Sequence, residues 1–455
     1  MRKLALLMSV LLVLLSIAGC KEGDSGADSK SGESTPAVKK ESYDMNGETV
    51  TIWTTGKQPK QNTIEYASLK DIEERYKCKI DMVTVDYQTA VTKNTSAAMS
   101  GTAECDIWLA AWYNVFPSFI SKNMATPLSD YYDFENDSTW QGKISENLKW
   151  DNKIYALNDG AQSPEGGLWY NKSMLSKENL EDPAELAKKG EWTWDKFLEM
   201  CKKLTKRNGN TVEQWGYYDC YLMPNAIISN GGTLIDMTDA SKPKFDINNE
   251  KSKSAIKWAY DLVNTHKVVP ALGNVHDTEL YDYFYNLKTA FFTYSAPFGP
   301  LCVQKGMKPA DLGYTYFPKG PDAQDYAVFA PTLKPVFIVP PQIKKDKKAI
   351  VSLLQDYLCV WDKSKDFAVD YSEIYDISFS STDWTGIYEP NKEFLTTGGL
   401  KNKSGYLNNF MIVDLLNSDL WEPIASGKTD IQTAITGVTP KAQAQINQLM
   451  MTSLS

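Results

Sequence analysis

Residues 49–85 read TVTIWTTGKQPKQNTIEYASLKDIEERYKCKIDMVTV, and this stretch predicts a parallel β-sheet covered by helices. Polar and apolar residues alternate over residues 49–53 and 79–85, which is the pattern of half-buried strands. Between these two segments, apolar residues recur at helical spacing over residues 63–76. Strand and helix therefore alternate along the chain, and this alternation is typical of an α/β fold.

The same alternation continues beyond this stretch. Residues 105–109 predict a third strand, and residues 91–99 and 114–122 are predicted to be helical. In parallel sheets, ligands bind beyond the carboxyl ends of the strands. We therefore expect a binding site in the segments that follow Trp53 and Leu109.

Further elements are predicted downstream, and no internal repeat is visible. Thr193 or Asp195 is expected to cap the helix that follows them, because their side-chain oxygens accept hydrogen bonds from free backbone amides. The remaining predicted strands are residues 168–172, 290–294 and 333–339, and the remaining helices are residues 255–263 and 347–360.

The N-terminus has the features of an export signal. A short basic start precedes an apolar run over residues 4–15, which is shorter than the roughly 20 residues that a membrane-spanning helix needs. The sequence IAGC at residues 17–20 resembles the bacterial lipobox. The resemblance implies that residues 1–19 are a lipoprotein signal peptide and that Cys20 is lipidated. An ordinary secretory signal that ends near a cysteine is the alternative.

Residues 20–44 are predicted to form a lipid-anchored, flexible tether. Residues 21–41 are rich in Lys, Ser, Gly, Glu and Asp and contain no aromatic residue, so they have little apolar surface to bury. We expect the protein to lie at the outer face of the cytoplasmic membrane, on the extracellular side, held to the membrane through its lipid anchor only.

The charge of the chain excludes some partners. The 455 residues carry a formal net charge of −9, which argues against binding to nucleic acid or to an anionic lipid surface. The length beyond the tether is sufficient for two or three domains. We expect a monomer.

Cysteine and histidine are sparse, and no cofactor or metal is expected. The two histidines, His266 and His276, do not have metal-binding spacing, and a Ser-His-Asp triad would have to use one of them. We expect the cysteines beyond Cys20 to be mostly free and buried, with a Cys201–Cys220 disulfide as the alternative. These cysteines are Cys78, Cys105, Cys201, Cys220, Cys302 and Cys359.

Aromatic residues are abundant, with 13 Trp, 25 Tyr and 16 Phe. One explanation is a large core. The other is a ligand with flat apolar faces and a polar rim, such as a sugar, because Tyr and Trp offer a rigid apolar face together with a hydrogen-bonding group.

Four segments resemble a known family in their order and spacing. They are GLWYNK at residues 167–172, WTWDKF at 192–197, the glycine pair at 231–232 and LGYTYFPKGP at 312–321. The chain resembles the extracellular solute-binding proteins of carbohydrate ABC importers, the family that includes maltose-binding protein. The resemblance extends over nearly all of the chain after the tether.

This resemblance implies an α/β, two-lobed periplasmic-binding-protein-like fold of type II, in which hinge crossings join the lobes. Its predicted parts are lobe one at residues 45–157 plus 320–378, lobe two at 168–312 plus 390–455, and hinge crossings at 158–167, 313–319 and 379–389.

The resemblance also implies a function. The protein would capture a sugar or oligosaccharide in the cleft between its lobes and deliver it to the permease subunits of an ABC importer, without being an enzyme. Two alternatives stay open. One is a secreted glycan-active lipoprotein hydrolase, which needs two carboxylates about 5 to 9 Å apart. The other is a receptor for a non-sugar solute on the same fold.

Candidate ligand-binding residues supply either a ring for stacking or a polar group for sugar hydroxyls. For each aromatic residue the alternative is core packing, and for the first crossing the alternative is a solvated hinge loop. The lobe-one candidates and those of the first crossing are Trp53, Thr54, Thr55, Trp112, Tyr113, Asn114, Asp159 and Glu165.

In lobe two, the resemblance implies that the loop before residue 222 and the segment after residue 293 meet the ligand. Phe298 departs from the family pattern, which usually has tryptophan there. The candidates of lobe two and the third crossing are Asp219, Tyr221, Tyr294, Phe298 and Trp384. The tryptophans expected in the core are Trp108, Trp169, Trp194 and Trp258.

Overall fold

The computed structural model describes most of the chain beyond the tether. Cys20 and the predicted signal peptide lie outside the described residues. The described residues are 42–54, 64–137, 140, 144, 148–158, 166–219, 221–271, 279–296, 298–329, 335–358, 387, 390–391, 394, 402–403 and 412–451.

Strands and helices alternate through the first half of the described chain. The strands are β1 Thr49–Thr54, β2 Lys79–Thr84, β3 Ile107–Ala110, β4 Lys149–Trp150, β5 Lys153–Ile154, β6 Leu168–Asn171, β7 Lys206–Asn208, β8 Thr211–Tyr218, β9 Ile235–Asp236, β10 Lys244–Phe245, β11 Thr289–Thr293, β12 Leu312–Thr315, β13 Val328–Phe329, β14 Val336–Ile338 and β15 Asn402–Lys403.

Most helices are short. They are α1 Ile64–Tyr76, α2 Tyr87–Met99, α3 Trp112–Asn114, α4 Lys172–Lys177, α5 Pro183–Lys188, α6 Trp194–Leu204, α7 Leu222–Ser229, α8 Glu250–Tyr260, α9 Glu279–Tyr285, α10 Phe298–Gln304, α11 Lys347–Leu358, α12 Val413–Leu416, α13 Glu422–Ala425 and α14 Ile431–Met451. Wider helical turns follow at Val115–Phe119, Asp261–Thr265 and Asn417–Trp421, and 3₁₀ turns lie at Leu128–Asp130 and Pro309–Asp311.

The first sheet has the strand order β14-β3-β1-β2. Strand β1 runs parallel to both β2 and β3, so that Ile52 lies opposite Met82 on one side and Ile107 on the other. Strand β14 arrives from far along the chain and pairs antiparallel with β3. The predicted parallel sheet is confirmed, with one antiparallel edge strand.

The second sheet has the order β12-β6-β11-β8-β7. Strands β8 and β11 are parallel, whereas β6 runs antiparallel to β11 and to β12. All four residues of β6 are buried. Each sheet therefore has its own core, and the α/β class predicted from the sequence is confirmed.

Capping residues set where several helices begin. Asp86 Oδ1 accepts a hydrogen bond from Thr89 N at 3.0 Å, so α2 starts four residues before the predicted residue 91. Thr193 caps α6, and its Oγ1 accepts from Lys196 N at 3.4 Å. Of the two caps expected there, Thr193 is the one that forms.

The helical turns predicted at residues 114–122 are confirmed, with a kink at Phe116: helical turns cover Trp112–Asn114 and Val115–Phe119. Phe116 has φ −108° and ψ 109°, which interrupts the helical path. It precedes Pro117, and the proline ring disfavours the helical conformation of the residue before it.

Three of the four tryptophans expected in the core are buried, namely Trp108, Trp169 and Trp194. Trp258 is half-buried and stacks on Trp194 with ring centroids 4.2 Å apart. The prediction that these tryptophans lie in the core is therefore confirmed for Trp108, Trp169 and Trp194, and in part for Trp258.

The described cysteines are buried, free thiols: Cys78, Cys105, Cys201 and Cys302. Burial raises the pKa of the Cys78 thiol to about 11. The alternative Cys201–Cys220 disulfide is wrong, because Cys201 is unpaired at a fully buried site. Cys220, Cys359 and His276 lie outside the described residues.

The segment after β12 packs with the second sheet. Val328 and Phe329 are buried in the same core as Phe317 and Tyr217. Strand β12 also extends the second sheet across residue 313, where a hinge crossing is predicted to begin. The lobe and crossing boundaries stay predictions.

Candidate functional site

At one edge of the first sheet, the segments that follow β1 and β3 carry aromatic rings and polar side chains. Strands β1 and β3 are parallel and end at Thr54 and Ala110, so the segments after them leave the sheet at the same edge. The carbonyl oxygen of Thr54 accepts from Val85 N at 2.9 Å, and the residue is buried. The predicted residues of this edge are therefore neighbours in space.

Two tryptophans of this edge face the core. Trp112 is fully buried, with its ring centroid 6.2 Å from that of Phe116. Trp53 is also buried, and Lys93 Nζ lies 5.8 Å from its ring centroid. In this structure neither ring has an open face for a ligand.

Tyr113 and Asn114 are half-buried and gather around the hydroxyl of Tyr87. Asn114 Nδ2 donates a hydrogen bond to that hydroxyl. Burial, and then the charge and hydrogen bonding of the nearby Tyr113, raise the pKa of Tyr87. The sequence analysis missed Tyr87, although its place at the first position of α2, after the capping Asp86, was a signal available for finding it.

In the second sheet, Asp219 follows β8 and is almost completely buried. It accepts hydrogen bonds from the Tyr217 hydroxyl, from Tyr221 N at 2.6 Å and from Asn225 Nδ2 at 3.0 Å. Burial raises the pKa of Asp219 to about 6, and these hydrogen bonds act in the opposite direction. The carboxylate thus ties the end of β8 to the start of α7.

The network around Asp219 extends to neighbouring strands. The Tyr217 hydroxyl also lies 2.6 Å from Thr293 Oγ1 at the end of β11, and Asn225 Oδ1 accepts from Phe329 N at 3.3 Å. Sequence reasoning missed Tyr217, Asn225 and Thr293. Tyr217 stands two residues before Asp219 and Asn225 six residues after it, whereas Thr293 is brought there by tertiary structure.

Tyr221 and Tyr294 are the half-buried rings of this second edge. The Tyr221 ring centroid is 5.7 Å from that of Phe329. The Tyr294 hydroxyl lies 2.6 Å from the Tyr281 hydroxyl, and its ring centroid is 5.5 Å from that of Phe298. Phe298 itself is buried.

The structure thus brings the predicted residues together in two groups. Trp53, Thr54 and residues 112–114 lie at the edge of the first sheet, whereas Asp219, Tyr221, Tyr294 and Phe298 lie at the edge of the second. Their contact with a ligand stays a prediction. Thr55, Asp159, Glu165 and Trp384 lie outside the described residues.

A cavity of about 620 Å³ is lined by α5, by the end of β12 and by the segment that follows it. None of the predicted site residues is in its lining, although the hydroxyl of its lining residue Tyr314 donates to the carbonyl oxygen of Tyr294 at 2.8 Å. Within the ranges that the structure describes, no group of His, Cys, Asp and Glu is placed to hold a metal ion. Among the helices described, none combines the length and the apolar character needed to cross a membrane.

Comparisons with solved structures connect this arrangement to known proteins. A cyclo/maltodextrin-binding protein complexed with maltotetraose has a TM-score of 0.62 at 14% identity, covering 88% of this chain and 97% of that one. An ABC substrate-binding protein from Listeria monocytogenes in complex with cycloalternan has a TM-score of 0.58 at 18% identity, covering 89% and 99%. The GacH receptor of Streptomyces glaucescens, solved unliganded and with acarbose, has a TM-score of 0.56 at 17% identity, covering 88% and 99%.

At these identities the likeness concerns the fold, and it confirms the two-lobed α/β fold of type II. A search of curated proteins found no match. The sequence matches the profile of the bacterial extracellular solute-binding proteins over residues 51–355, which is more than half of the chain. The chain therefore belongs to the family of bacterial extracellular solute-binding proteins.

Proposed function

We propose that this protein captures a sugar or oligosaccharide in the cleft between its lobes and delivers it to the permease of an ABC importer. One observation carries the proposal. In both sheets, parallel strands end in segments that pair half-buried tyrosines with hydrogen-bonding groups, as at Tyr113 with Asn114 and at Tyr221 with Asp219. The saccharides bound by the solved relatives agree with this ligand class.

The half-buried tyrosines are the proposed stacking surfaces. A tyrosine offers a rigid apolar face to a sugar ring and a hydroxyl to its rim. On the core side, Trp53 and Trp112 belong to the same apolar cluster as Tyr113, and Phe298 belongs to the same cluster as Tyr294. Thr54, Thr55, Asp159, Glu165 and Trp384 complete the proposed site.

We further propose that Cys20 carries a lipid and that the tether keeps the monomeric body at the outer face of the cytoplasmic membrane. Tethering a receptor to the membrane that holds its permease raises the effective concentration of one near the other. The family match to extracellular proteins supports export.

A thermal-shift screen of the purified chain against mono- and oligosaccharides tests the ligand class. A sugar that binds only the folded state raises the melting temperature. We expect at least one oligosaccharide to do so and to be recovered uncleaved. A uniformly negative panel, or cleavage of the sugar, would overturn the proposal.

A pair of variants then locates the site. Tyr221→Ala removes a proposed stacking face and should weaken binding about tenfold, which corresponds to ~1.4 kcal/mol. Tyr260→Ala, which truncates a half-buried tyrosine of α8, should leave the affinity unchanged. Equal effects of the two substitutions would argue against a site at Tyr221.

A further inference from the structure

The cavity of about 620 Å³ is large enough for a ligand of sugar size, since small-molecule sites commonly measure ~300 to 1,000 Å³. One wall is helix α5, where Ala184 and Ala187 leave room because their side chains are small. The lining also includes the rings of Tyr316, Tyr326 and Phe394, which form its aromatic wall.

The aromatic wall is held in place by its own contacts. Tyr316 stacks on Tyr326 with centroids 5.3 Å apart and an angle of 16° between the ring planes. Phe394 meets Tyr316 edge-on, with centroids 4.6 Å apart. The Tyr326 hydroxyl accepts from Trp192 N at 3.1 Å. Because Tyr316 is half-buried, its ring is both supported and accessible from the cavity.

The border of the cavity is positively charged, although the whole chain has a net charge of −9. Among the described residues of its lining, the charged ones are Lys188, Lys189, Lys319 and Asp325. Lys188 also pairs with Glu185 at 2.8 Å, but both side chains are exposed, and exposed pairs of this kind contribute little. An excess of positive charge at a concave site favours an anionic ligand.

Lys319 is the most firmly positioned of the three lysines. Its backbone N donates to the Trp192 carbonyl oxygen at 3.0 Å, and its own carbonyl oxygen accepts from Trp194 N at 3.1 Å. Its Nζ lies 5.4 Å from the Tyr326 ring centroid, within cation–π range. The ammonium group is therefore held beside the aromatic wall before any ligand arrives.

We propose that this cavity, which lies beside the predicted second crossing and is lined by none of the predicted sugar-site residues, is a second ligand site that binds an anionic solute of sugar size such as a uronate. The lysines meet the carboxylate, and the Tyr316 ring packs against the apolar face of the sugar ring. The small side chains of α5 provide the space between these two contacts.

Calorimetric titration of the purified chain with glucuronate, glucose and inorganic phosphate at low salt tests this proposal. We expect saturable glucuronate binding that weakens as salt is added, and at least tenfold weaker binding of glucose. The absence of saturable glucuronate binding would overturn the proposal. If glucose binds as tightly as glucuronate, recognition of the carboxylate by the lysines is overturned. If phosphate binds as tightly as glucuronate, recognition of the sugar ring by Tyr316 is overturned.

Variants locate the glucuronate site. The double substitution Lys189→Gln and Lys319→Gln should lower glucuronate affinity at least tenfold. The matched control is Lys305→Gln, which removes another lysine beside a tyrosine ring, with Nζ 6.0 Å from the Tyr285 centroid. Lys305 is not part of the cavity lining. An equal loss in the control would contradict the assignment.

A third substitution separates this site from the proposed cleft. Ala187→Trp should fill the cavity and abolish glucuronate binding while every lysine is retained. The melting temperature of the free protein shows whether it remains folded, and any saccharide found to bind at Tyr221 should still bind. Loss of glucuronate binding in Tyr221→Ala, rather than in Ala187→Trp, would place the ligand in the cleft and overturn a second site.

Discussion

At the scale of single residues, Asp219 shows both what a sequence can predict and what it cannot. The resemblance singled out Asp219, and the structure places it at the end of β8, beside the loop expected to meet the ligand. Its partners Tyr217, Tyr221 and Asn225 are near it in sequence, whereas Thr293 of β11 is brought to it by packing. The residue type was therefore predictable, whereas its anchoring role was not.

Asp219 gives a pH prediction. Burial raises its pKa in the folded chain from 3.8 to about 6, so the folded state holds this proton more firmly than the unfolded state does. The resulting stabilisation is complete below pH 3.8 and is lost as the pH rises through about 6. Between pH 4 and 7, the free energy of unfolding of the wild type should fall by about 2 kcal/mol relative to Asp219→Asn.

Urea denaturation of both proteins at several pH values measures this difference. Asp239→Asn is the control, because Asp239 is an exposed residue whose pKa is lowered by hydrogen bonds from Ser241. Because Asp219 is retained in this variant, the difference in unfolding free energy between the wild type and Asp239→Asn should not fall as the pH rises. If the difference in unfolding free energy between the wild type and Asp219→Asn stays constant with pH, the pKa of Asp219 is not raised by burial.

At the scale of elements, periodicity predicted the strands of the first sheet well, because one face of each strand is buried and the other is less so. It missed β8, whose residues 211–218 mix polar and aromatic side chains on an extended strand. It also placed the start of α2 too late, because the Asp86 cap was not recognised. The local sequence pattern therefore predicted elements well where one face is buried and the other is more exposed. It predicted them less well where helix caps or tertiary contacts set the boundaries of an element.

The contact between β8 and α6 gives a second prediction. A Cβ at Gly216 would lie 2.5 Å from the Cys201 carbonyl oxygen and 2.7 Å from its Cα, and both are backbone atoms that cannot easily move. Gly216→Ala should therefore destabilise the fold by about 1 to 3 kcal/mol through overpacking.

The control for this substitution is Gly437→Ala in α14, where a Cβ would meet nothing within 4 Å. This change should stabilise the protein by about 0.5 to 1 kcal/mol, because alanine favours helix more than glycine does. Thermal or urea unfolding of the two variants distinguishes them. Similar effects would mean that β8 and α6 are not in close contact.

Helices α1 and α11 are joined by a buried charge. Asp356, with its side chain 1% exposed, accepts from Arg75 Nη1 at 2.6 Å and from the Tyr76 hydroxyl at 3.0 Å. Asp356→Ala should lower the unfolding free energy by about 2 to 3 kcal/mol. This loss is smaller than the loss expected on breaking a fully buried ion pair, because Arg75 is 31% exposed.

Asp71 provides an internal comparison, since it binds the same Arg75 at 2.9 Å but is 50% exposed. Asp71→Ala should change the unfolding free energy by less than about 1 kcal/mol. If both substitutions cost the same in urea unfolding, burial of Asp356 would not be what stabilises the α1–α11 contact.

At the scale of the whole molecule, the two sheets with separate cores were predictable because strand and helix alternate and the family segments recur in order. Two contacts of the second sheet could not be predicted from local pattern. Pairing of β12 with β6, and burial of Val328 and Phe329 with the second sheet, depend on contacts across the chain. Sequence pattern does not encode such contacts locally.

Export and anchoring give a prediction at this scale. Cys20→Ala should release the protein from the membrane fraction, because the proposed lipid has no other attachment point. Its affinity for any identified sugar should equal that of the unaltered chain, since Cys20 precedes the folded body. Cell fractionation followed by titration measures both, and retention of the variant on the membrane would refute lipid anchoring at this cysteine.

The central claim is that the protein binds a saccharide between its lobes without altering it. Titration of the intrinsic tryptophan fluorescence of the purified chain against an oligosaccharide panel, with analysis of the recovered sugar, tests it most directly. We expect a saturable, one-site change with at least one oligosaccharide and recovery of that sugar intact. Absence of a response across the panel, or turnover of the sugar, would contradict it.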